Sequence, residues 1–130
     1  MTYVLSDIHG NLPRFESIMK QINLQPEDTL YILGDVVDRF PDGIKILRRI
    51  MKMSNVKMLL GNHEHMMMQY FDPDSTPEQK ARWDRNGNAP TLEALLALPA
   101  GERAAILDLV RARPGHLELT VGGRDFYLVH

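Results

Sequence analysis

An open α/β sheet carrying a helical insert and a closing hairpin is the fold class this sequence predicts, and three observations predict it. Over the first sixty or so residues, short apolar runs alternate with stretches of helical periodicity, in the order strand–helix–strand–helix–strand. Each apolar run ends at once in a loop rich in Asp, His, Asn and Gly. Residues 63–113 then carry only helical signals, and Gly122-Gly123 between two alternating runs marks a hairpin.

The elements follow in order. Thr2 to Leu5 is the first strand, and Ser6 to Asn11 is the loop after it. Asn11 is the N-cap of a helix with Pro13 in its first turn, burying Leu12, Phe15, Ile18, Met19 and Ile22 at spacings of three and four. Pro26-Glu27-Asp28 turns into the second strand, Thr29 to Leu33, which Gly34 breaks. Asp42 to Met53 is a second helix burying Ile44, Leu47, Ile50 and Met51, and Val56 to Leu60 is the third strand. Two helical crossovers between three strands imply parallel pairing. In the insert, Thr76-Pro77-Glu78-Gln79 is a capping box, Asn86-Gly87 a helix end, Thr91 to Leu98 a helix, and Gly101 to Arg113 another, stopped by Pro114-Gly115. His116 to Val121 and Arg124 to Val129 form the hairpin. The 130 residues make one domain, and its ending on a strand that aims His130 at the site predicts that it is incomplete at its C-terminus.

Composition narrows the function. Hydrophobic residues are 44% and charged residues 25%, values of an ordered globular chain. A net charge of −2 speaks against a nucleic-acid or anionic-membrane partner, and the lack of cysteine removes thiolate ligands and fits a reducing, cytoplasmic setting. Imidazole and oxygen ligands remain, which suit Mn, Fe, Zn or Ni.

The strand ends supply such ligands. Ligands gather outside the carboxyl ends of strands in an open α/β sheet. Four strands deliver Asp7 and His9, Asp35, Asn62 and His63, and His130 to one edge, with Asp35 as the hub. Asp7 and His9 are two apart, so in extended backbone they face the same side and hold one divalent ion. Asp35 bridges to a second ion, which takes Asn62 and His130. A pair of metals clamps the oxygens of an in-line displacement at phosphorus and lowers the pKa of a bound water from ~15.7 towards ~7. His63 is then the general acid, Asp38 orients it, and Arg39 holds phosphate oxygens; Asn62 and His63 also face the substrate. Glu64 pairs locally, Met66 to Met68 pack, Trp83 belongs to the core of the insert, and His65 and His116 have no role at the site. Arg85, near the insert loop, is the one other basic residue placed to touch substrate.

Ser6-Asp7-Ile8-His9-Gly10, Gly34-Asp35-Val36-Val37-Asp38-Arg39 and Gly61-Asn62-His63-Glu64 resemble the three signatures of the calcineurin-like metallophosphoesterases. They are most similar to the phosphoprotein phosphatase branch, with its GDxHG, GDxxDRG and GNHE pattern. Trp83, Asn86, Gly87 and Thr91 resemble the W-x-x-N-G-G stretch of the bacterial and lambda-phage-type enzymes, and Phe126 to His130 resembles the strand bearing the family's next metal histidine. The resemblance implies a β-sandwich flanked by helices, with two divalent ions, Mn foremost and Fe or Zn as alternatives. It implies hydrolysis of phosphomonoesters, with a serine/threonine phosphoprotein first and a dinucleoside polyphosphate or other small phosphate ester as the alternative. A third reading is an inactive fragment that binds metal or phosphate. Ser6 and Asn88 replace glycines of the pattern, and Phe40-Pro41 stands where the pattern has the glycine after Arg39. A further histidine of the family lies beyond this chain, so the expectation is one tight and one weak metal, with self-association through an exposed last strand.

Overall fold

The computed structural model describes all 130 residues. Three parallel strands form the central sheet: β1 (Thr2–Leu5), β2 (Thr29–Ile32) and β3 (Val56–Met58), in the order β1-β2-β3. Leu5 pairs with Ile32, and Ile32 with Met58, so all three strands run to the same sheet edge in register. Buried Leu30, Tyr31 and Ile32 make β2 the middle of the sheet, whereas β1 alternates between exposed and half-buried residues as an edge strand does.

The helices cover this sheet. α1 (Leu12–Ile22) starts at Asn11, whose side chain accepts from the Arg14 amide, and ends at Asn23 in the left-handed region. α2 (Gly43–Ile50) buries Ile44, Ile46, Leu47 and Ile50, each contributing about 1.5–3 kcal/mol if fully removed from water. The insert comprises α3 (Asn62–Phe71), α4 (Pro77–Asp84), α5 (Ala89–Leu96) and α6 (Ala100–Arg111). The Thr76–Gln79 capping box is formed on both sides. Tyr70 and Phe71 meet Trp83 edge-on, at 5.1 and 6.3 Å, and this aromatic cluster ties α3 to α4.

β4 (His116–Val121) and β5 (Arg124–Val129) pair antiparallel as a separate two-stranded sheet around Gly122-Gly123. The expectation of four strands delivering ligands from one sheet is therefore corrected: three do, and the fourth comes from the hairpin. Two hydrogen bonds bring the hairpin to the sheet, Leu60 N–H to Pro114 O at 2.9 Å and the His130 ring to Leu33 O at 2.8 Å. Phe126, Tyr127 and Val129 of β5 remain 46%, 60% and 53% exposed. No helix is long and apolar enough to cross a membrane.

Candidate metal centre

Each parallel strand is followed by a short loop; the first two interlock through backbone hydrogen bonds, and the third joins them through the Asp35 and Glu64 side chains. His9 N–H donates to Asp35 O at 2.9 Å, and Gly10 N–H to Val36 O at 2.7 Å. Asp7 and His9 do not share a face through extended backbone, as the two-residue spacing suggests. Both lie in the left-handed region, with φ of 55° and 47°, as do Asp35, Asp38 and Arg39 at 56°, 76° and 75°. Non-glycine residues hold this conformation at a cost of order 1–3 kcal/mol each, and such strain clusters at functional sites. Here the loop hydrogen bonds hold it.

Glycine makes the approach of the second and third loops possible. A Cβ on Gly61 would lie 2.3 Å from Asp35 Oδ1, and one on Gly34, at φ 98°, would lie 2.4 Å from Gly61 N. Asp35 thus reaches the third loop, where its Oδ1 accepts from the His63 amide at 3.0 Å.

The histidines decide what the cluster is for. His9 Nδ1 lies 3.0 Å from Val37 O, and His130 Nδ1 lies 2.8 Å from Leu33 O. A carbonyl only accepts, so each Nδ1 carries the proton and each Nε2 is left as a lone pair. Those lone pairs point at oxygens: His9 Nε2 is 3.6 Å from Asp7 Oδ1 and 3.7 Å from Asp35 Oδ2. His130 Nε2 is 3.2 Å from Asp35 Oδ2 and 2.7 Å from Asn62 Oδ1. With the amide in this orientation Asn62 Oδ1 faces only acceptors, and turning it would point the nitrogen at Asp35 and His130 instead. Acceptors converging on acceptors around one buried carboxylate is a donor set for cations, and the residues present fit two. The ligand atoms of Asp7, Asp35 and His130 all lie within 4.8 Å of one another, and so do those of His9, Asp35 and His63.

His63 is set apart by its other nitrogen. Its Nδ1 is 2.6 Å from buried Asp38 Oδ2, and that hydrogen bond, helped by the Asp35 charge, raises the imidazole pKa against the effect of burial. The same Asp38 oxygen accepts from Trp83 Nε1 at 2.8 Å, and the Asp38 amide donates to Thr91 Oγ1 at 2.9 Å. α4 and α5 therefore hold the loop that holds His63. Trp83 is fully buried in the insert, as expected, and its hydrogen bond to Asp38 gives it a second role at the site. The signal was available, because a buried indole N–H needs a partner.

Glu64 does not pair locally, contrary to expectation, because its buried carboxylate reaches the loop after β2. Its carboxylate accepts from the amides of Asp35, Val36 and Val37 at 2.6, 3.2 and 3.4 Å. Burial, and then the Asp35 charge, push its pKa up to about 7. Ser6, in place of the usual glycine, donates its hydroxyl to Asp7 and lowers the Asp7 pKa. Arg39 is exposed at the rim, anchored by its amide to Gly87 O at 2.9 Å. Arg85 is exposed and paired with Glu78 at 2.9 Å. His116 stacks on Tyr127, and His65 is exposed.

The model of the family described as calcineurin-like phosphoesterase matches residues 2–125. This chain belongs to that family. A symmetrical bis(5'-nucleosyl)-tetraphosphatase of Pectobacterium atrosepticum is 34% identical over 97 residues, 73% of this chain and 34% of the relative. Another of that name, from an Acidovorax strain, is 32% identical over 130 residues, 98% of this chain and 42% of the relative. The chain thus spans a third to under half the length of these curated relatives. Two crystal structures share the fold at 20% identity: a metallophosphoesterase from Sphaerobacter thermophilus and a cold-active protein-tyrosine phosphatase of a Shewanella species. Their TM-scores are 0.62 and 0.56, each over 89% of this chain, and 42% and 40% of the chains matched. The calcineurin-like phosphoesterase fold expected from the three motifs is the one observed.

Proposed function

We propose that this chain hydrolyses a dinucleoside tetraphosphate at its central anhydride, using two divalent ions, with manganese the first candidate. The observation that carries the metal chemistry is the pair of Nε2 lone pairs that meet at one oxygen of the Asp35 carboxylate, Oδ2. The relatives' printed name supports the substrate class, and moves the dinucleoside polyphosphate, the alternative in the sequence reading, ahead of a phosphoprotein.

Asp7, His9 and Asp35 would hold one ion, and Asp35, Asn62 and His130 the other. Bound there, the ions supply charge that polarises the phosphoryl group and acidifies a water. The chain's own groups do the rest. Arg39 offers a bidentate fork to the phosphate oxygens. His63, kept protonated by Asp38, gives its proton to the oxygen on which the leaving group departs. Asn62 orients the substrate beside it. The interlocked loops keep these groups in place, so little rearrangement accompanies reaction.

Diadenosine tetraphosphate, a phosphoserine peptide and p-nitrophenyl phosphate, each incubated with the chain and manganese, separate the readings. The expected result is ADP as the sole nucleotide product and the highest kcat/KM on the dinucleotide. Faster phosphopeptide turnover, or AMP with ATP as products, would refute it.

We also infer self-association through the hairpin. β5 pairs only with β4 and exposes Phe126, Tyr127 and Val129, an apolar edge open to another strand. Sedimentation should show mass rising with concentration, and Phe126→Lys with Tyr127→Lys should abolish the rise. A constant monomer mass in the parent chain would rule this out.

A further inference from the structure

Beside the metal centre, on its α1 side, lies a cavity of about 260 Å³. Asp7 and His9 form its inner wall, Ile8, Phe15 and Ile18 are among its apolar lining, and Arg14, Arg39 and Phe40 also line it. Two features bear on what it could hold. The Arg14 and Arg39 guanidiniums that line it have no hydrogen-bond or ion-pair partner, as is also true of Arg82, Arg103 and Arg124 elsewhere, but here two of them share one cavity beside the metal centre. Phe40 is 50% exposed although its amide is fixed to His9 O at 3.1 Å, so a rigid backbone presents a bare ring at the rim. Phe40 is also where this chain departs from the glycine of the motif pattern.

We propose that this cavity takes the leaving nucleoside phosphate, with Arg14 and Phe40 as its specificity-determining residues; this rests on the hydrolytic reading above. When water adds to the attacked phosphorus, a new P–O bond forms and the bridging P–O bond breaks. The departing phosphate keeps the bridging oxygen and the electron pair, and the water proton is released. Negative charge therefore grows on the departing side, where the unpartnered Arg14 guanidinium can offset it while Arg39 holds the attacked phosphate. The ring of Phe40 offers the nucleobase a face to stack on. A cavity just under the ~300–1,000 Å³ usual for small-molecule pockets suits one half of a dinucleotide, not the whole.

Calorimetric titration with ADP and with inorganic phosphate, on metal-free and manganese-loaded chain, tests this against Arg14→Gln and Phe40→Ala. Both residues are exposed, so neither change disturbs the core. Each variant should weaken ADP about tenfold, the size of one lost charge-assisted or stacking contact; Arg14→Gln should weaken phosphate too, whereas Phe40→Ala should weaken phosphate several-fold less than ADP. Phe40→Tyr should restore ADP affinity. No ADP binding by the parent chain, unchanged ADP affinity in either variant, or equal losses for ADP and phosphate in Phe40→Ala would overturn the proposal. ADP binding that depends on Arg14 and Phe40, in a chain that leaves diadenosine tetraphosphate uncut, would uphold the cavity and overturn the proposed function instead. Production of ADP with no dependence on either residue would do the reverse.

Discussion

Replacing Asp35 by Asn is expected to strip the chain of both metals while leaving it folded. Asp35 Oδ2 is the only carboxylate oxygen within 4 Å of both free histidine nitrogens, at 3.7 Å from His9 and 3.2 Å from His130. Loss of a mere outer partner of a metal site costs ~10–100-fold in affinity or activity. Loss of the shared ligand should exceed that for each ion, and turnover should fall with it. The amide keeps the shape and the acceptor for the His63 N–H, so the loops should stay assembled. A second consequence separates this outcome from damage. In the metal-free parent chain, Glu64 ionises at about 7 rather than 4.5, because of burial first and the Asp35 charge second. A raised carboxyl pKa in the folded state means stability that is full below pH 4.5 and is lost as pH rises towards 7. Asp35→Asn removes the repulsion, so its stability should fall less across that window than the parent's. Elemental analysis together with urea melts at pH 4.5 and 7.5 reads both effects. Two metals retained by the variant would end the bridging assignment.

His63→Ala should lower turnover by ~10²–10⁴-fold on esters with poor leaving groups, the usual range for a general acid. The loss should shrink for aryl phosphates, whose departing oxygen needs no proton. Asp38→Asn separates orientation from charge, since the amide oxygen can still accept from His63 Nδ1 and Trp83 Nε1. The Asp38 hydrogen bond is the chief cause of the raised His63 pKa, so without the negative charge the ring gives up its proton at lower pH. The alkaline limb of kcat/KM should therefore move to lower pH in Asp38→Asn. Equal losses for alkyl and aryl substrates in His63→Ala, or an unmoved limb, would contradict the acid role.

Much of the fold was legible because its signals are local. The alternation of apolar runs with helical periodicity located the three parallel strands, and Gly122-Gly123 located the hairpin with its bounds unchanged. Helix ends shifted by up to three residues. The second helix runs Gly43–Ile50 where Asp42 to Met53 was expected, because Met51 and Lys52 only continue as a turn. The candidate ligands were legible for a chemical reason: Asp, His and Asn immediately after apolar runs are few, and a cation is the simplest account of so many together.

What the sequence by itself determined is therefore the inventory: three loops at one sheet edge, the residues they carry, and the kind of chemistry those residues suit. Only the tertiary structure decided how they meet. Asp7 and His9 converge through left-handed backbone held by Asp35 O and Val36 O, which no spacing rule reveals. The tautomers of His9 and His130 follow from Val37 O and Leu33 O, backbone atoms 28 and 97 positions away in the chain. Glu64 and Trp83 took on roles at the centre because a buried carboxylate or indole N–H must find a partner, and the partners lie in other loops. Local periodicity encodes elements, but hydrogen-bond partners, protonation and the cavity under Phe40 depend on which elements pack together, and that exists only once the chain has folded.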